Sequence, residues 1–447
     1  MTTANGALTY ADGSKAGARP SRKEMGFYGV GEIASNLSWN MVNGFLLYYY
    51  TDVARIPAAP LVWLFLLTKI FDAFVDISAG AMVDRTRSRW GHARPYLLFA
   101  SIPFSLMCIL AFSVPDIGLS GKIAYAFVTY GLLGLGYSLV YVPYAALQPL
   151  LSNDPRDHNV MGGLRSMGTS IASIVVFATT QPLVALAGGG QVGFTVAAIV
   201  FALGTVALYV TVFANTRERV QSAAPVPAVR VAVGRMARNR VWIGAFSLML
   251  VNFFRVITLV SVLPYVAKLL FGDIAMLGVF LTLQSAAVLV GSLAAGPLMN
   301  RFSVAGVNIS AVAVGIAAFI AMSQVEGNTY FTLALFTFAS APIGVFTSTA
   351  FSGCSKAAAV QERLFGSRDE GLLAAGLSFG QKVGGAVGTA LIAFLLSRAH
   401  YDPGHASEAV VATVRIAFYW LQVGLLLLHL LPIQLLRVVD PSPDVTR

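Results

Sequence analysis

Asp72 and Asp76 lie four residues apart in an otherwise apolar run, LVWLFLLTKIFDAFVDISAGAMVD (61–84). On a helix that spacing stacks both carboxylates on one face, a turn apart, and Lys69 shares the face three residues earlier. Two acids this close in a low dielectric cannot both stay ionised cheaply. Either a cation lies between them or one of them holds a proton. Both arrangements load and release positive charge: Na⁺ through oxygen ligands, or H⁺ through a carboxyl. A structural ion pair with Lys69 or Lys382 would use the same residues to tie helices together.

A second polar stripe precedes it. Glu32, Asn36, Asn40 and Asn43 follow at i, i+4, i+8 and i+11 in an apolar segment. Amides in hydrocarbon must find partners. Interhelical adhesion would need fewer of them, so the stripe reads as a cavity wall. Tyr130, Tyr137, Tyr141 and Tyr144 share a face further on, with Ser138 beside them. A phenol offers an apolar plate and a hydroxyl, which suits a sugar ring and suits ordinary packing equally. Ser378 and Lys382 stand at i, i+4 in SFGQKVGGAVG, where Gly380, Gly384 and Gly388 permit close helix approach. A buried Lys382 needs an anion, and the Asp pair is the candidate. Arg255, beside Asn252, has no partner that the sequence names.

These residues require elements that carry them through an apolar medium. Of the 447 residues 57% are hydrophobic and 11% charged, whereas a soluble domain carries about 25% charged residues. Runs long enough to span a bilayer lie near 26–50, 58–84, 95–114, 122–150, 163–187, 193–215, 241–267, 274–299, 305–324, 329–353, 370–397 and 412–437. The expected fold is therefore all-α, with twelve transmembrane helices in two six-helix bundles. The expected domains are 1–215 with the cation site, a polar linker at 216–240, and 241–447. Placing both termini and the even-to-odd loops on one side collects 22 of the 30 Lys and Arg, against five opposite, which predicts cytoplasmic termini. The net charge of +10 thus marks cytoplasmic loops, and no nucleic-acid partner is implied. Cys108 and Cys354 form no metal or redox spacing. No nucleophile elbow, phosphate loop or metal triad is present, and the five histidines sit in loops or near a helix end, so an enzyme is not expected.

The runs LLYYYTDV (46–53), KIFDAFVDISAGAMVDRTRSRWGHARPYLL (69–98), YVPYAAL (141–147), DEGLLAAGLSFGQKVGGAVG (369–388) and GEIASN (31–36) resemble the glycoside–pentoside–hexuronide:cation symporters of the major facilitator superfamily, typified by the melibiose permease. The resemblance implies cation-site roles for Asp72, Asp76 and the Ser138 hydroxyl, with Lys382 and neighbouring Ser378 associated. It also implies that Asn36, Tyr141, Ala145 and Arg165 fall at or near sugar-holding positions. Glu32, Asn40 and Arg255 join the substrate-binding candidates on their own polarity. Asp84, Arg85, Arg87, Arg89 and Arg94 match the cytoplasmic gate loop. Two departures matter. Asn36 and Tyr141 replace aspartates and Ala145 a tryptophan, which argues against melibiose as the solute. Val75 replaces an asparagine that assists Na⁺, which favours protons.

The expected activity is cation-coupled uptake of a sugar or glycoside by alternating access. The coupling ion is H⁺ or Na⁺, no cofactor is needed, and the carrier works as a monomer in a bacterial inner membrane. A carrier of another amphiphile, such as a lysolipid or drug, would share the fold but line its cavity with fewer amides.

Overall fold

The computed structural model describes residues 19–152, 154–219, 234–325, 327–365, 370–404 and 406–437. Twelve long helices lie among these residues, and the one β feature is an isolated bridge between Ser88 and Gly91. In chain order they are α1 (Arg22–Tyr48), α2 (Ala58–Arg85), α3 (Arg94–Ala111), α4 (Leu119–Leu151), α5 (Pro155–Leu186) and α6 (Gly190–Asn215). The second half supplies α7 (Arg240–Leu269), α8 (Met276–Arg301), α9 (Val304–Gln324), α10 (Thr329–Phe365), α11 (Glu370–Arg398) and α12 (Glu408–Leu436). The ten from α3 onward contain stretches long and apolar enough to cross a membrane. At 27 and 28 residues, α1 and α2 are also long enough. They also carry the residues that could do chemistry: the Glu32–Asn stripe in α1, and Lys69, Asp72 and Asp76 in α2.

Local signals begin several helices. Asn239, Ser303 and Ser407 each accept a backbone N–H three residues on, so α7, α9 and α12 start on a side-chain cap. Outward-facing apolar side chains complete the picture. Leu203, Leu293 and Phe338 are each more than 60% exposed. Such a surface is costly in water and neutral against lipid tails.

By contact the chain divides into two units, Met1–Val42 with Leu67–Ala224, and Asn43–Leu66 with Pro225–Arg447. The second unit therefore takes in the end of α1 and the start of α2, which the sequence assigns to the first bundle. Polar contacts at the end of α1 account for that. A π-turn at Tyr49–Val53 presents Asp52, whose Oδ1 accepts from Lys268 Nζ at 2.5 Å and from Tyr401 Oη at 2.7 Å. Thr51 Oγ1 lies 2.7 Å from Asp52 Oδ2 and 2.8 Å from Tyr265 Oη. Tyr265 and Tyr401 meet edge to face at 5.1 Å. The outer half of α1 is thus tied to the end of α7 and to the loop after α11.

Within the second unit, α7 and α11 pack closely because glycines line the seam. A Cβ at Gly384 would strike the Leu250 carbonyl, and one at Gly388 would come within 2.8 Å of the Phe254 carbonyl. Gly380 faces Phe246 in the same row. The small-residue track expected near Lys382 is therefore a helix–helix seam.

Two outcomes are expected from this packing. Gly384→Val should destabilise the purified protein by about 1–3 kcal/mol through overpacking, whereas Gly131→Ala, in open space, should leave the melting temperature unchanged. Equal melting temperatures for both variants would contradict the seam. Lys268→Met strands the Asp52 carboxylate, 3% exposed, and should cost roughly 3 kcal/mol. Adding Asp52→Asn should recover most of that loss in the same thermal-unfolding measurement.

Candidate solute and cation sites

The α1 stripe meets a matching stripe on α5. Glu32, Asn36 and Asn40 face Arg165, Thr169 and Ser173, which follow one another at the same four-residue spacing. Arg165 Nε donates to Glu32 Oε2 at 2.8 Å, Thr169 Oγ1 to Glu32 Oε1 at 3.4 Å, and Asn40 Nδ2 to Ser173 Oγ at 3.0 Å. Asn36 Nδ2 donates to Glu32 Oε1 at 3.2 Å and to the Glu32 carbonyl at 2.8 Å. Close approach is set by Gly168, where a Cβ would come 2.8 Å from the Gly29 carbonyl and 3.1 Å from Glu32 Cβ. The Glu32 side chain is 7% exposed and that of Arg165 24%, so the pair is shielded but open on the arginine side. A charge-assisted pair in such a setting is strong and geometrically fixed.

Helix α4 adds an aromatic wall. Arg165 Nη2 donates to Tyr141 Oη at 3.0 Å, and Tyr141 Oη donates to Glu32 Oε1 at 3.5 Å. The guanidinium carbon sits 5.9 Å from the Tyr141 ring centre and 5.4 Å from that of Tyr144. Tyr141 stacks on Tyr137 at 5.1 Å, and Tyr137 stacks on Trp39 at 4.2 Å. Tyr144 stacks on Tyr28 at 5.0 Å and donates to the Tyr28 carbonyl at 2.9 Å. The result is one acid, one guanidinium, two amides and two hydroxyls beside a ladder of three stacked rings. Sugar rings present hydroxyls at their edges and C–H faces above and below, and this surface offers a partner for each.

Asp72 and Asp76 sit in the same unit, on α2 against α4. Asp72 is 3% exposed and Asp76 half-buried. Gly134 leaves room for the Asp72 carboxylate, and a Cβ there would collide with Oδ1. Tyr130 lies within electrostatic range of Asp72, and Tyr137 of both Asp76 and Glu32. One turn beyond Gly134, the Ser138 hydroxyl is 1% exposed and without a hydrogen-bond partner among the described residues. Two carboxylates and a spare hydroxyl make an all-oxygen donor set. That set fits a hard monovalent cation or a shared proton.

Comparison with known proteins decides the family. The description "MFS/sugar transport protein" matches residues 27–440. The chain belongs to this family. It is similar to the inner membrane symporter YicJ of Escherichia coli, 30% identical over 89% of this chain and 88% of that one. A glucuronide carrier protein homolog of the same organism is 30% identical over 90% and 89%. The isoprimeverose transporter of Lactiplantibacillus pentosus is 28% identical over 89% and 84%. Among solved structures, a bacterial homologue of the lysosomal transporter Spinster, inward-facing, superposes with a TM-score of 0.68 at 12% identity, covering 96% of this chain and all of the other. That likeness shows the fold alone. A member of this sugar-transport family is a multi-pass membrane transporter and not an enzyme.

The remaining candidates of this MFS carrier are distributed as follows. Ala145 is half-buried on α4. Lys382 is half-buried and Ser378 exposed on α11, in the second unit, where the Ser378 hydroxyl donates to the Ala374 carbonyl at 3.3 Å. Arg255 is wholly buried in α7. The side chains of Lys69 and Asp84 lie outside the described residues. Arg85, Arg87 and Arg89 are exposed, with Arg89 4.4 Å over the Trp90 ring. Arg94 differs from them: it is buried, donates to the Phe213 carbonyl at 2.8 Å and lies 4.9 Å over the Phe213 ring.

Several contributors escaped the sequence reading. Thr169 and Ser173 carry a signal of their own, since with Arg165 they repeat the four-residue period of the α1 stripe. Trp39 gave none. Glu218 lay within the expected linker, yet its carboxylate caps the start of α3, accepting from His92, Ala93 and Arg94 N–H at 2.7, 2.8 and 3.1 Å. Gly91, at φ +109°, brings the loop against that carboxylate. Glu24 holds Arg219 through two bonds of 2.7 and 2.8 Å. The first residues after α6 are therefore part of the first unit.

Glu32→Gln keeps the shape of the centre and removes its charge. It should weaken solute binding by about 2 kcal/mol or more, read as the half-saturation of counterflow in reconstituted vesicles. Ser166→Ala, one residue along α5 and exposed, should not. Unchanged half-saturation in Glu32→Gln would remove Glu32 from the solute site.

Proposed function

We propose that this chain is a cation-coupled symporter for a sugar or glycoside in the bacterial inner membrane, spanning it twelve times with both termini in the cytoplasm and acting as a monomer. Family membership and the names of its symporter relatives support the class. So does the 22-to-5 distribution of Lys and Arg.

One observation carries the coupling. Tyr137 stacks within the aromatic ladder of the solute centre and lies in electrostatic range of both Glu32 and Asp76. The cation pair and the solute centre thus share a wall. A cation at Asp72 and Asp76, with Ser138 as third oxygen, neutralises charge behind Tyr137 and favours the arrangement of α4 that offers Tyr141 to the solute. Coupling of this kind amounts to about 1–3 kcal/mol between two ligands and works in both directions. The bundles then expose the loaded site alternately to either side.

The solute is gripped differently than in the melibiose permease. Asn36 and Tyr141 occupy the positions of its two aspartates, and Glu32, one turn before Asn36, supplies the acid instead. Glu32 is already engaged by Arg165, so the acceptor and the donor are offered to hydroxyls together. Relatives named for isoprimeverose and for a glucuronide support a solute among substituted sugars. Val75, next to Asp76, contributes no oxygen, and the coupling ion is accordingly H⁺ rather than Na⁺.

Asp72→Asn and Asp76→Asn should each abolish gradient-driven accumulation while leaving counterflow at about a tenth or more of wild type, since exchange needs no net cation release. Vesicle uptake driven by an imposed pH or Na⁺ gradient measures this. Concentrative uptake by the double variant would refute the cation site, and drive by Na⁺ alone would reverse the choice of ion.

A further inference from the structure

Arg255 is among the largest fully buried side chains of the protein, with none of its surface exposed. Its Nε, Nη1 and Nη2 have no hydrogen-bond partner among the described residues. It stands mid-helix in α7, about 20 Å of helix from either end at 1.5 Å per residue. A guanidinium does not deprotonate in proteins and brings five donors. Placing it at the centre of a membrane helix costs at least about 2.5–3.5 kcal/mol, and such residues pair with an anion or acceptors.

Among the described residues no carboxylate bonds to the Arg255 nitrogens. Between 241 and 437 the acidic residues are Asp273, Glu326, Glu362, Asp369, Glu370, Asp402 and Glu408. Of these, Asp273, Glu362, Glu370, Asp402 and Glu408 each lie in a loop or within a turn or so of a helix end, while Glu326 and Asp369 are outside the described residues; the described helix interiors of this stretch carry none. The surroundings of Arg255 are polar but uncharged. Asn252, one turn earlier, donates through Nδ2 to Thr347 Oγ1 at 2.9 Å and to the Ile343 carbonyl at 3.3 Å. His429 of α12 lies within electrostatic range of the guanidinium. Its Nδ1 is 2.7 Å from the Leu425 carbonyl, its ring stacks on Phe346 at 4.4 Å, and its Nε2 is unpartnered. His429 Nδ1 must donate to that carbonyl, so its Nε2 is an acceptor; the donors of the centre are those of the buried guanidinium, whose charge has no carboxylate partner among the described residues.

We propose that Arg255 forms a site for one monovalent anion inside the second unit. The ligand is a free halide or the carboxylate of an acidic sugar, which share a single negative charge matched to one guanidinium. The site is distinct from the Glu32–Arg165 centre, which lies in the first unit, and does not depend on the reading given to that centre.

Thermal unfolding of the full-length protein in detergent tests it, in sodium chloride or bromide against sodium sulfate at matched ionic strength, and, without halide, in sodium glucuronate against glucose. A saturable rise of several degrees with halide, lost in Arg255→Met, establishes a free-anion site. A rise with glucuronate alone, likewise lost in Arg255→Met, assigns the charge to the solute. Arg255→Lys, which keeps the charge but not the fork, should need about tenfold more anion. No rise with either ligand in the wild type, or a rise that persists in Arg255→Met, overturns the proposal and leaves Arg255 to rotated amides such as that of Asn252. Should Arg255→Met fail to fold, bromide anomalous scattering from wild-type crystals decides: a peak at Arg255 supports the site, and its absence overturns it.

Discussion

A carboxylate shut away from water must be compensated within a few ångströms, and the buried Glu32 organises the first unit around that need. Its two oxygens take hydrogen bonds from Arg165, Tyr141, Thr169 and Asn36, drawn from three helices. Those helices reach it only because the backbone has been thinned. Gly29 meets Leu164, Gly31 meets the Tyr144 ring, and Gly168 meets the Gly29 carbonyl. Arg165 in turn lies over Tyr141 and Tyr144, so its position fixes two rings. The proposed solute centre and the bundle packing are consequently the same set of contacts, and a change that frees the acid also loosens the helices.

The two halves divide charge unequally. Helix interiors of the first unit contain Glu32, Asp72 and Asp76 beside Lys69 and Arg165, whereas the described helix interiors of the second carry Arg255, Lys356 and Lys382 with no acid more than about a turn from a helix end. A carrier that moves a cation has reason to keep its carboxylates together. In the proposed mechanism a proton or Na⁺ leaving Asp72 and Asp76 exposes negative charge next to Tyr137, and the cost of that exposure links cation release to solute release. Arg255, with its nitrogens unpartnered among the described residues, is left for a ligand of its own unit.

How far the sequence could be read depended on whether a residue's partner lay on its own helix. The twelve helices and the polar stripes are periodic signals, and α1 and α2 carry their stripes where the periodicity put them. The Asp72–Asp76 face, the Tyr137–Tyr141–Tyr144 face and the glycine row at 380–388 were legible for the same reason. Pairings across helices were not. Glu32 could be named as buried acid, but its choice of Arg165 rests on a contact 133 residues away. Arg94 and Arg89 look alike in the loop DRTRSRWGHAR, and only folding separates the buried anchor from the exposed base. Glu218 and Asp52 are isolated acids whose tasks, capping α3 and holding Lys268, depend on segments far along the chain.

The Asp52 network shows why such long-range partners matter for function. Asp52 receives Lys268 and Tyr401 on one oxygen, and Lys268 also reaches the Pro403 carbonyl at 3.3 Å. Burial, with the Asp52 carboxylate beside it, pushes the Tyr401 phenol well above its ordinary range. The phenol therefore stays protonated and donates at any pH a bacterium meets. Lys268, about 30% exposed at its side chain, is the vulnerable member, because water and salt reach it. The strength of the tie thus follows ionic conditions at the Lys268 edge.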